Sequence, residues 1–207
     1  MAPDLQPKTA FFPSALFDVV ALATSAGGIK ALSQVLSGLA VPFPAAIVIV
    51  QHINPKAHSF LADILSRQTR LMVKQARAGE ALKPGVVYIA PPDQHLLIEP
   101  TGTIALAHTE KVHYARPSAD RLFESVALSC GARAIAVVLT GNGQDGARGI
   151  QRVKQQGGLT IAQDPQTAEF SGMPTAAIQT QAVDWIIPLD QIAAKLTHLI
   201  NGRGDRV

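Results

Sequence analysis

The chain has 207 residues, 47% of them hydrophobic and 16% charged, which is enough for one domain with a real core and excludes an intrinsically disordered chain. Its formal net charge of +3 is mild, and with 5% aromatics and no dense Lys/Arg run it gives no reason to expect a nucleic-acid partner. A single cysteine excludes internal disulfides and fits a reducing compartment, no apolar stretch reaches transmembrane length, and the amino terminus lacks a signal-peptide layout, so a cytoplasmic protein without membrane insertion is expected.

Residues 1–16 hold three prolines and no periodicity, and read as a flexible leader or linker remnant before a domain spanning 17–201. Phe17–Leu22 is an apolar run predicted to be a buried strand, and Ile29, Leu32, Leu36 and Leu39 then recur at helical spacing. Ala45–Val50 is a second apolar strand, ending at Gln51 and His52. Helical spacing follows from His58 to Thr69, and Val86–Ala90 is a strand stopped by Pro91 and Pro92. His95–Glu99 and Thr103–Ala107 flank Pro100-Thr101-Gly102 and predict a β-hairpin. Ser118 to Ser129 predicts a helix with Ser118 as N-cap and Gly131 as stop; Cys130 continues the stripe of Leu122 and Val126 and is expected as a buried core thiol. Ala134–Leu139 is a third apolar strand, followed by the Gly-rich loop Thr140–Gly146. A helix over 147–156, a strand over 159–162, a helix around Pro174, a strand over 183–187 and a helix over 190–200 complete the chain.

Fully apolar strands alternating with helices predict a doubly wound α/β fold, with a mostly parallel sheet covered on both faces and an antiparallel hairpin near one edge. Sites in such sheets form outside the carboxyl ends of the strands. Three strands deliver polar residues there: Ser25, His52 and Asp145.

Ser25 lies on the strand-to-helix turn Ala23-Thr24-Ser25-Ala26-Gly27-Gly28. Such a turn lifts a serine off the sheet towards a helix amino terminus, whose N–H groups can hold an oxyanion. The same residues fit a phosphate cradle or a plain turn with Ser25 as N-cap. Of six histidines, His52 alone directly follows a buried strand. It reads either as a base, since imidazole titrates near neutrality, or as a structural hydrogen-bonded histidine. Asp145 reads as the acid orienting that base, as a cap on the helix starting near Gly146, or as both. No Gly-Lys-Ser/Thr follows the glycine loop, which weakens a phosphate-loop reading, and no His/Cys/carboxylate cluster has metal-ligand spacing.

The residues also resemble a known family, the catalytic domains of the chemotaxis receptor methylesterase, CheB. The resemblance runs in order over about residues 17–200. It is carried by Ala23–Gly28, Val50-Gln51-His52-Ile53, Tyr88–His95, Arg116–Ser125, Leu139–Gly146 and Phe170–Pro174. It implies hydrolysis of γ-glutamyl methyl esters on chemoreceptor signalling helices, with deamidation of glutamines in many members, and no metal or cofactor. It implies Ser25 as nucleophile, His52 as base and Asp145 as orienting acid, with backbone N–H groups at Ala26 and Asn142 holding the oxyanion. Three positions depart from the usual pattern: Ala23 for Gly, Ala26 for Thr and Asn142 for Met. The methyl of Ala23 is expected to tighten the serine turn. Typical members also carry a receiver domain before the catalytic domain. About 16 residues precede the first strand here, which implies a stand-alone enzyme, a piece of a longer protein, or an enzyme regulated by a receiver domain in trans.

Overall fold

The computed structural model of the protein describes residues 10–53 and 59–202. Its strands are β1 (Val19–Thr24), β2 (Ala46–Gln51), β3 (Met72–Gln75), β4 (Val86–Ile89), β5 (His95–Ile98), β6 (Ile104–Ala107), β7 (Ala134–Val138), β8 (Leu159–Gln163) and β9 (Trp185–Ile187). Its α-helices are α1 (Gly28–Ser37), α2 (Leu61–Ser66), α3 (Ala119–Cys130), α4 (Ala147–Gln155), α5 (Gly172–Gln179) and α6 (Leu189–Ile200). Seven strands form one sheet in the order β3-β4-β2-β1-β7-β8-β9, and every pairing in it is parallel.

The solid apolar strands follow from this arrangement. Successive strand residues face opposite sides of a sheet, and here both sides are covered. Val19, Ala21 and Ala23 enter one core layer with residues of α3, α4 and α5. Val20 and Leu22 enter the other, with α1, α2 and α6. No alternation with polar residues is possible when each face meets a helix layer, and each fully buried Leu, Ile or Val contributes about 1.5–3 kcal/mol by leaving water.

Three places refine the sequence reading. The hairpin forms as expected, but as a separate two-stranded sheet of β5 and β6. It is pinned to α3, where the Ile98 N–H donates to Ser125 Oγ and Ser129 Oγ donates to the Ile98 carbonyl. β3 has no counterpart in the sequence reading: it pairs on one side only, leaves Met72 exposed and carries Lys and Gln, so it lacks the apolar run of a central strand. α2 is shorter than the predicted 58–69 helix, and His58 lies outside the described residues.

Asp18, just before β1, is fully buried. Its carboxylate accepts from Arg133 Nε at 2.9 Å, Arg133 Nη2 at 3.0 Å and the Phe12 N–H at 3.0 Å. Arg133 also donates to the carbonyls of Phe12 and Ala15. Of the expected leader, the described residues 10–16 are thereby tied to the sheet, and Phe11 and Phe12 pack against a core layer. Arg133→Met should leave the Asp18 carboxylate buried and unpaired and cost about 3 kcal/mol, a fall in melting temperature of roughly 6–12 °C in a thermal melt. A melting temperature within about 2 °C of the parent would show that the pair contributes little.

Candidate active site

The strand order puts the site where two connections diverge. β1 is flanked by β2 on one side and β7 on the other, and the crevice outside such a switch point is where α/β sheets bind ligands. Thr24 pairs with Gln51 across the last rung of β1 and β2. The next residue on each strand, Ser25 and His52, therefore leaves the sheet side by side. Both line a cleft of about 620 Å³, with Gly28, Ile29, Gln51 and Phe60 also in its wall. Beyond His52 and Ile53 lies a second hollow of about 320 Å³, bounded by Lys111, His113 and Tyr114.

The turn carrying Ser25 is held by backbone. The Ser25 N–H donates to the Thr140 carbonyl at 3.0 Å, and its carbonyl accepts from the Gly28 N–H at 3.0 Å. The N-cap of α1 is Gly27, in the left-handed region at φ 76°, and no side chain caps the helix. The N-cap reading of Ser25 is thus corrected: glycine supplies the positive φ that the chain reversal needs, and the serine hydroxyl is left out of the cap. Gly141, in the loop after β7, abuts the turn so closely that a Cβ there would lie 2.8 Å from Ser25 Cβ and 2.3 Å from Met173 Sδ. Glycine fits here because a side chain at 141 would run into both Met173 and the serine turn.

The expected tightening by Ala23 is also corrected. Ala23 is inside β1, paired with Val50 and Val138, and its methyl enters the core layer rather than the turn. Ala26 follows Ser25, and its carbonyl accepts from Thr140 Oγ1 at 3.1 Å. Asn142 follows Gly141 and is exposed. Among the described residues, neither the Ala26 nor the Asn142 N–H donates to a hydrogen bond.

Asp145 is buried and closes the loop after β7. Its Oδ2 accepts from His52 Nε2 at 2.7 Å and from the Ala119 N–H at 2.7 Å. Its Oδ1 accepts from Ser118 Oγ at 2.8 Å and from the Asp120 N–H at 3.0 Å. Two donors on each oxygen use all the acceptor capacity of a carboxylate. The helix that Asp145 caps is α3, not α4 as its sequence position suggests. α4 is capped by Asp120, whose Oδ1 accepts from the N–H groups of Gly146 and Gly149. The two acids thus exchange helices.

Their ionisation diverges accordingly. Burial acts to raise the Asp145 pKa, but the hydrogen bonds from His52 and the backbone outweigh it and hold the carboxyl below its ordinary value. Burial dominates at Asp120, with Asp145 adding repulsion, and its carboxyl is pushed up. Asp120 Oδ2 is buried without a hydrogen bond, facing His113 Nε2 at 3.3 Å.

The other histidines fall elsewhere. His95 is buried at the start of β5 with Nε2 3.0 Å from the Glu110 carbonyl, and burial lowers its pKa. His108 is exposed against Asp93, and His198 lies on α6. Cys130 is buried, as the helical stripe predicts. Among the described residues, no group of three or more His, Cys, Asp or Glu could hold a metal ion, and no helix is long and apolar enough to cross a membrane. The sequence reading missed Gln51, Thr140 and Asp120. At Gln51 and Thr140 the signal was a polar residue placed where an apolar strand ends. At Asp120 it was an acid in the first turn of a helix.

Residues 20–196 match the sequence model of a family described as CheB methylesterase. A putative protein-glutamate methylesterase/protein-glutamine glutaminase of Leptospira interrogans is 40% identical over 183 residues, covering 88% of this chain and 95% of that protein. The protein-glutamate methylesterase FrzG of Myxococcus xanthus is 41% identical over 189 residues, covering 91% of this chain but 57% of its own length. A protein-glutamate methylesterase/protein-glutamine glutaminase of Moorella thermoacetica is 41% identical over 191 residues, and the chain spans 45% of its length. Among solved structures, the Thermotoga maritima CheB methylesterase catalytic domain superposes with a TM-score of 0.85 at 37% identity, covering 89% of this chain and 99% of that one.

Asp145→Asn should lower stability at pH 7 by about 3 kcal/mol, because an amide cannot accept from all four donors. A carboxyl held below its ordinary pKa stabilises the fold above the unfolded value, and that contribution is lost as pH falls through the folded value. The gap between parent and variant urea midpoints should therefore narrow below about pH 4. A gap independent of pH would mean that the charge of Asp145 is not what the four donors stabilise.

Proposed function

This chain belongs to the CheB methylesterase family, and we propose that it hydrolyses γ-glutamyl methyl esters on the signalling helices of methyl-accepting chemoreceptors. In this reading residues 17–201 are the catalytic unit, and Ser25, His52 and Asp145 are its nucleophile, base and orienting acid. The observation that carries the proposal is the 2.7 Å bond from His52 Nε2 to a buried Asp145, with His52 and Ser25 opening onto one cleft.

The chemistry follows from that bond. An ionised Asp145 needs a donor, so His52 carries its proton on Nε2 and presents a bare Nδ1 to Ser25. Nδ1 takes the hydroxyl proton as Ser25 Oγ attacks the ester carbonyl. The tetrahedral oxyanion accepts from the uncommitted N–H groups of Ala26 and Asn142. Asp145 stabilises the imidazolium, whose Nδ1–H then protonates departing methanol. Water, deprotonated by the same nitrogen, attacks the glutamyl-enzyme, Ser25 Oγ departs by taking that proton back from Nδ1, and the product is a free glutamate side chain. A glutamine side chain fits the same steps with ammonia as leaving group, and the names of the Leptospira and Moorella relatives support that second activity. No step uses a metal or cofactor. The proposed setting is the cytoplasm, with a receiver domain, on this chain or another, as the regulatory partner that the family resemblance implies.

Methanol release from a methylated chemoreceptor signalling fragment should be abolished to a similar degree by Ser25→Ala and His52→Ala, since such residues act as a unit. Asp145→Asn should also slow it strongly through the wrong imidazole tautomer. Turnover at near the parent rate in the Ser25→Ala variant would overturn the assignment.

The oxyanion role of Asn142 is assigned to its backbone, so Asn142→Ala should keep the rate within about tenfold. Loss of a true donor costs about 10²–10³-fold. A loss of that larger size on Asn142→Ala would transfer the role to the side chain.

A further inference from the structure

Gln51 is the last residue of β2, and the five residues before it, Ala46 to Val50, are all apolar and fully buried. Gln51 itself is buried, at 6% exposed. Nε2 donates to the Ser25 carbonyl at 2.7 Å and to the His52 carbonyl at 2.9 Å. Both acceptors are carbonyls, which cannot donate, so the amide has one satisfactory orientation: nitrogen towards the two carbonyls, oxygen away. Oε1 is then buried with no hydrogen-bond partner. It lies against Gly28, where a Cβ would be 2.0 Å from it.

A buried acceptor left without a donor is costly, and an apolar side chain of similar length, such as Met, would fill this place without that cost. The amide has one property that Met lacks, which is two N–H groups that reach two backbones at once. The other ties on these residues are separate. The Ser25 N–H is held by Thr140 and the His52 N–H by the Thr24 carbonyl, and the His52 ring is held by Asp145. Among the described residues, Gln51 is the one side chain that bonds to the backbone of both.

We propose that Gln51 is a positioning residue for the serine–histidine pair. Its amide clamps the backbone of Ser25 to the backbone of His52, and so sets the distance over which the hydroxyl proton moves. It does not touch the reacting atoms. Gly28 is part of the device, because its missing side chain makes the space that Oε1 occupies. The inference rests on the reading of Ser25 as nucleophile and His52 as base.

The test uses the full chain, the methylated receptor fragment and three variants, Gln51→Met, Gln51→Glu and Ser25→Ala, each checked for folding by circular dichroism at every pH used. Gln51→Met should keep KM and lower kcat by about 10- to 100-fold, the scale of a small misplacement of reacting groups. Gln51→Glu gives a sharper signature. When ionised, the carboxylate of that variant faces two carbonyls without a donor, whereas the protonated acid regains one O–H donor. The ratio of variant to parent kcat should therefore rise as pH is lowered from about 8.5 to about 6. Merely structural damage would give a low ratio that does not change with pH.

A Gln51→Met kcat equal to the parent's, or a flat Gln51→Glu ratio, overturns the proposal. If Gln51→Met does not fold, the pH dependence of the Gln51→Glu ratio decides alone. Ser25→Ala separates the two levels: turnover surviving in it would remove the serine mechanism itself. A dead Ser25→Ala beside an unimpaired Gln51→Met would remove only the clamp.

Discussion

The site depends on a single carboxylate. Asp145 gathers Ser118 Oγ and the Ala119 and Asp120 N–H groups from the start of α3, and His52 Nε2 from the end of β2. A buried charge is tolerable only when its acceptor sites are filled. Removing any one of these donors therefore leaves part of a buried charge unsatisfied. That coupling fixes the His52 ring from a residue 93 positions away in sequence. It also explains why Ser118, Ala119 and Asp120 belong to the site although none lines the cleft.

The exchange of caps between Asp145 and Asp120 adds a second level of order. Each acid sits at the start of one helix and satisfies N–H groups at the start of the other, so α3 and α4 cannot separate without orphaning both sets. The two acids are close enough to repel, yet their pKa values move in opposite directions. Asp145 has four donors, and Asp120 has a buried oxygen without one. The donor count, rather than burial alone, decides which carboxyl holds its charge most readily.

The parallel sheet supplies the frame. Because Thr24 and Gln51 share a rung, Ser25 and His52 emerge adjacent without any long-range adjustment of loops. Thr140, at the end of β7, then ties the serine turn from the other side. Its carbonyl accepts from the Ser25 N–H and from Thr24 Oγ1, its hydroxyl contacts the Ala26 and Phe170 carbonyls, and its own N–H is taken by Gln163. Glycines at 28 and 141 let side chain and backbone approach where any Cβ would collide. Precision in such a site comes from strand ends and filled hydrogen bonds, which explains how turns of small residues can hold a fixed geometry.

By itself the sequence determined the α/β class, the six helix positions and the strands that lie between helix layers. Those features come from local periodicity: a strand buried on both faces must be apolar throughout, and an amphipathic helix must repeat at 3.6 residues. It also offered Ser25, His52 and Asp145 as candidates, because polar residues at or just beyond the carboxyl ends of such strands have no place in the core. The edge strand β3 was illegible, since pairing on one side imposes no pattern strong enough to see. The partner of Asp145 could not be read either. A cap on the nearest helix was the local answer, and only the packing of α3 against α4 sends its carboxylate to the farther one. The same holds for Gln51, whose two acceptors are brought together by strand register. Periodicity is a property of neighbours along the chain, whereas hydrogen bonds between distant residues exist only once the layers have closed.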